Sequence, residues 1–230
     1  MCLRIDFTRR EQTEIHIEGK KVNLRAEIEN AFGPQAFARP LFYSWPGGLR
    51  FELSETGGMI EQFLTAMRKS ITICGDIFQG DASFVACLRI HSGRNRFAHR
   101  STLRALKSAG IDTPSALCIW SEEIDNEEWF SEEEPEYWVN VAFEASAARI
   151  QALLWCALAK DFADIQPRAN CAVYLFNLPK RVMVFPYDDR GMDVVGANAE
   201  LLLELYQRHH AWLLDHDRAA MEATFGRLKR

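Results

Sequence analysis

Apolar positions recur along this chain in two periods. Leu24, Ile28 and Phe32 fall at i, i+4 and i+8, which predicts an amphipathic helix over Val22–Phe32, stopped by Gly33-Pro34. After Gly57-Gly58, the residues Ile60, Phe63, Leu64, Met67, Ile71 and Cys74 predict a second helix that ends before Gly80. Ser101–Ala109 reads as a short basic helix ended by Gly110. Ala147–Phe162 is apolar nearly all round and should be a buried helix. A further helix starts at the candidate N-cap Asn198 and reaches Asp215, and Asp217 is placed to cap a last short one through Phe225.

Shorter runs carry strand signals. Leu41–Ser44 and Leu49–Ser54 flank Trp45-Pro46-Gly47-Gly48, which predicts a hairpin. Ser83–Ile90, Leu117–Trp120, Tyr137–Phe143, Cys171–Phe176, Arg181–Pro186 and Met192–Val195 are β-prone. Asp188-Asp189-Arg190-Gly191 separates the last two with hairpin residues: Asp starts turns and Gly relaxes them. Helices interleave with hairpin-linked strands. The expected fold is one α+β domain over residues 36–230, a mixed, mainly antiparallel sheet flanked by helices.

Charge changes this picture in one place. The chain of 230 residues carries a net charge of -5. That balance is not built to coat nucleic acid or an anionic membrane. Glu122–Glu136 nevertheless concentrates nine carboxylates: Glu122, Glu123, Asp125, Glu127, Glu128, Glu132, Glu133, Glu134 and Glu136. It contains no Lys or Arg, and it includes Trp129 and Phe130. Ala82–Ile111 is the reverse, with Arg89, Arg94, Arg96, Arg100, Arg104 and Lys107 and no carboxylate. An acidic segment with aromatic anchors is suited to dock a cationic protein partner, or it is a solvated loop. The two runs can also face each other inside the fold. The basic run offers a nucleic-acid-binding alternative, but it lacks a recognised motif.

The remaining chemistry is sparse. No apolar run approaches the ~20 residues of a membrane-spanning helix, and the charged N-terminus lacks the apolar core of a signal peptide. The six cysteines include no C-x-x-C pair, so reduced core thiols of a cytoplasmic protein are expected. Nucleophile-elbow, zincin, P-loop and dinucleotide motifs are absent. His209 and His216 share a helical face and, with Asp215 or Asp217, have zinc-ligand chemistry. The same face carries Leu202, Leu205, Trp212 and Leu213, which favours packing. Asp188, Asp189 and Asp193 around Arg190 suggest a metal-dependent phosphoesterase as an alternative. Tyr187, Asp188, Asp189 and Arg190 are a possible secondary contact site. No metal or cofactor is expected.

Three segments together resemble an uncharacterised bacterial family, a domain of unknown function. They are Val173–Asn177, Tyr187-Asp188-Asp189-Arg190-Gly191-Met192-Asp193, and Leu205-Tyr206 with Trp212-Leu213-Leu214 and Asp217-Arg218. The resemblance spans roughly Pro40 to Phe225, which leaves residues 1–35 as a variable extension with a helix. Members resemble immunity proteins of polymorphic-toxin loci of the contact-dependent growth inhibition type. The resemblance implies a protein that neutralises a toxin domain; the missing catalytic motifs and the acidic, aromatic-containing run add the expectation of a non-catalytic protein that binds a cognate toxin, a nuclease with a basic surface, through Glu122–Glu136. The acidic balance and the lack of a long apolar run lead to the expectation of no direct contact with nucleic acid or membrane.

Overall fold

A computed structural model describes residues 23–93, 99–111, 113–114, 117–124 and 136–226. Seven helices are present among them: α1 (Leu24–Phe32), α2 (Leu41–Ser44), α3 (Met59–Ile77), α4 (His99–Ser108), α5 (Ile150–Leu158), α6 (Ala199–Arg208) and α7 (Arg218–Phe225). Seven strands accompany them: β1 (Leu49–Glu52), β2 (Ser83–Ser92), β3 (Cys118–Glu123), β4 (Tyr137–Ser146), β5 (Ala172–Asn177), β6 (Val182–Asp188) and β7 (Gly191–Gly196). They form one sheet in the order β1-β7-β6-β5-β2-β4-β3. Every described pairing is antiparallel, so the expected α+β domain is present.

Both faces of the sheet are buried, which explains its near-continuous apolar strands. On β2, Phe84, Ala86, Leu88 and Ile90 join one cluster, which includes α3, α5, α6 and α7. Val85 and Cys87, one residue out of phase, join a second cluster on the opposite face. Tyr174, Phe176, Met183 and Phe185 extend that second layer. Helix α1, assigned from sequence to an extension over residues 1–35, contributes Leu24, Ile28 and Phe32 to it. Its N-cap is Asn23, whose side chain accepts a hydrogen bond from the Ala26 N–H (3.1 Å). Burial pushes the Cys74 thiol up to about 12 and the Cys156 thiol up to about 11, as suits core thiols.

Three expected elements differ from those observed. Leu41–Ser44 is the short helix α2 and not the first arm of a hairpin. Four residues are too few to distinguish strand from helical turn by period; the Trp45 N–H donates back to Phe42 O (3.3 Å), and the buried Phe42 N–H donates to Asp193 Oδ2 (3.1 Å). β1 instead pairs with β7, with Arg50 opposite Asp193. On α3, Ile60 and Leu64 are 65% and 58% exposed, and Ala66, Ser70, Ile73 and Ile77 line the buried side. The buried Lys69 lies on that side too, because its ammonium donates to Glu52 O (3.1 Å) and meets Glu55 Oε1 at 3.1 Å. Helix α6 starts at Asn198 as expected but stops at Arg208, ahead of a 3-10 turn over His210–Trp212.

Candidate partner-binding site

β3 is an edge strand, and it is the root of the acidic run. Its last pair is Glu123 with Tyr137, beyond which the Ile124 N–H donates to Glu136 O (2.9 Å). Glu122 lies 2.9 Å from Arg89 Nη1 and accepts the Trp120 indole N–H at 2.9 Å. Glu136 lies 3.3 Å from His91 Nε2. The two charge runs therefore meet across β2, β4 and β3, and Arg89 is buried over the Phe37 and Trp138 rings. Glu123 is exposed. Asp125, Glu127, Glu128, Trp129, Glu132, Glu133 and Glu134 lie outside the described residues.

The second region is the β6–β7 turn, and it is the expected hairpin. Asp188 Oδ1 accepts the Arg190 N–H (2.9 Å), and Oδ2 accepts Arg190 Nε at 3.0 Å and Nη2 at 2.5 Å. Gly191 is required by close approach, since a Cβ there would sit 1.9 Å from the Tyr187 hydroxyl. Lys160 donates its ammonium to the Tyr187 carbonyl, and burial lowers the Lys160 pKa. Asp189 is only 9% exposed, and no ion pair and no hydrogen bond from another residue reaches it. Burial, then the neighbouring Asp188 charge, pushes its carboxyl above the usual range. An open groove of about 690 Å³ lies beside the turn, and Glu52, Glu55, Asp161 and Asp189 contribute carboxylates to it.

Asp193, placed by sequence in the same group, belongs to a separate structural knot. Arg50 Nε donates to Asp193 Oδ1 (2.7 Å) and Nη2 to Oδ2 (3.0 Å). Arg50 Nη1 donates to Asp217 Oδ2 (3.1 Å), and the Tyr43 hydroxyl donates to Asp217 Oδ1 (2.7 Å). Asp217 sits at the N-cap of α7 but makes no side-chain bond to that helix. Burial pushes the Asp193 carboxyl up while its bonds from Arg50 pull it back, and those bonds hold the guanidinium charged. Sequence reading missed Arg50, Tyr43 and the true role of Asp217. For Arg50 the only local signal was a polar residue alternating with apolar neighbours on β1.

The histidine group has a structural explanation as well. His209 Nε2 lies 2.7 Å from Asp76 Oδ2, and its ring stacks on Trp212. Among the described residues, no three of His, Cys, Asp and Glu are arranged to hold a metal ion.

A model of a domain of unknown function, DUF3885, matches residues 24–217. The chain belongs to this family. The DUF3885 match begins at the first residue of α1 and ends at Asp217, so both regions above lie inside it. No curated protein and no solved structure is significantly similar to the chain. Among the described residues, no helix is long and apolar enough to cross a membrane.

Proposed function

We propose that this chain is a non-catalytic immunity protein that works in the cytoplasm, where it binds and neutralises a bacterial toxin domain, a nuclease. The observation that carries the reading is the concentration of nine carboxylates in Glu122–Glu136, rooted at the edge strand of the seven-stranded sheet. Nucleases present basic surfaces because phosphate neutralisation drives nucleic-acid binding. An acidic segment with Trp129 and Phe130 offers that surface both charge and anchors. Glu122 pairs with Arg89 and Glu136 with His91 at the base of the segment, and the other seven of its nine carboxylates lie between these two in the sequence.

Opposed charge acts mainly on the rate of association. Reversing Glu127, Glu128, Glu132 and Glu133 to Lys should slow association with the cognate toxin about tenfold or more at low salt. It should also flatten the dependence of that rate on ionic strength, measured by stopped flow. An association rate unchanged by the reversal removes the acidic run from the mechanism.

A further inference from the structure

We propose that the groove beside the β6–β7 turn receives an arginine or lysine side chain of a protein partner, with Asp189 as the carboxylate that meets its cationic head. The groove's four carboxylates face a single guanidinium, that of Arg190, whose hydrogen bonds go to Asp188. Glu55 is held by Lys69. Glu52, Asp161 and Asp189 have no ion-pair partner among the described residues. Asp189 decides the matter. A carboxylate nine-tenths buried normally collects donors, because the buried charge is costly without them. This one lines the groove and has none from any other residue.

The shape selects a side chain. Phe162 and Leu214 give the groove apolar walls, which suit the methylene stem of Arg or Lys behind its charged head. The volume of about 690 Å³ far exceeds the ~30 Å³ of one water, and the carboxylates do not converge as metal ligands do. Guanidinium to carboxylate is the strongest such pairing, through two parallel hydrogen bonds. The choice of a protein-borne cation rests on the binding role proposed above; the site's cation chemistry stands without it.

Titrating the isotope-labelled full chain with a capped Gly-Gly-Arg-Gly-Gly peptide tests the site, read from the amide shifts of Asp161, Asp189 and Gly191. A saturable shift with a dissociation constant in the millimolar range is expected, as for one unassisted side chain. Replacing Arg by norleucine in the peptide should abolish it. Asp189→Asn should weaken binding about tenfold. The exposed Glu52→Gln, which leaves the turn intact, should weaken it two- to threefold, roughly the effect of one partly solvated charge. The groove site is overturned if the folded wild type shows no saturable shift there, or if both variants bind as the wild type does. Agmatine binding tenfold tighter than the peptide would overturn the protein source in favour of a free amine. Reversal of Glu127, Glu128, Glu132 and Glu133 should leave this titration unchanged, so failure of the acidic-run reading and failure of the groove give different results.

Discussion

Asp193 and Asp189 lie four residues apart at one end of the sheet, in opposite circumstances. Asp193 is 1% exposed, and both its oxygens are bonded by Arg50, with the Phe42 N–H on one of them as well. Asp189 is 9% exposed and takes nothing from any neighbour. The first carboxylate ties β1, β7, α2 and, through Arg50 and Asp217, the start of α7 into one unit. The second adds no such tie and carries a cost of burial. A saturated acid of this kind supports the fold, whereas an unsaturated one at a groove is suited to a ligand from outside.

The largest effect should come from breaking the saturated knot. Arg50→Ala leaves Asp193 and Asp217 buried without their cation, at a cost of about 3–5 kcal/mol. For a chain of this size the thermal midpoint should fall by roughly 10 °C, seen by calorimetry. A shift under about 2 °C would mean that the knot contributes little to the fold.

Gly191→Ala comes next. Its new methyl would meet the Tyr187 hydroxyl at 1.9 Å and Phe51 O at 3.0 Å, so a loss of about 1–3 kcal/mol is expected. Removing the ring with Tyr187→Ala should shrink that loss in a double-mutant cycle, and strict additivity would show that the clash is not the cause.

Asp189→Asn should have the smallest effect, of the opposite sign. The folded pKa of Asp189 is raised, so its charge destabilises the fold above that pKa. The cost fades as pH falls through the raised pKa and is gone below the unfolded value of about 3.9. The variant should therefore be more stable than wild type at pH 7, by up to about 1 kcal/mol in urea unfolding, and the gap should close on acidification. A variant clearly less stable at pH 7 would show that the Asp189 charge supports the fold.

The turn was legible in the sequence because its chemistry is local: Asp188 reaches a backbone N–H two residues on, and Gly191 makes room for a ring four residues back. Helix α1, the strands β2 to β7 and the cap at Asn198 were legible from period and capping for the same reason. The Arg50 knot was not. Its partners are separated by 143 and 167 residues, and only strand register brings Arg50 opposite Asp193. Likewise the pairing of Glu122 with Arg89 depends on β2 and β3 flanking β4, which no run of charge encodes. On α3 the helical period did not show which side is buried: Ile60 and Leu64 face solvent, whereas the stem and amine of Lys69 both find places inside. Asp189 read as an ordinary turn residue; its burial beside a groove appears only once Glu52 and Asp161 are brought up to it.

The most direct measurement is capture of the native partner on the purified chain from host lysate, eluted by a salt gradient, followed by association kinetics with that partner. A single stoichiometric protein is expected, associating more slowly as ionic strength rises, with that dependence weakened by reversal of the acidic run. A partner whose association rate is indifferent to salt and to that reversal would contradict an acidic docking surface.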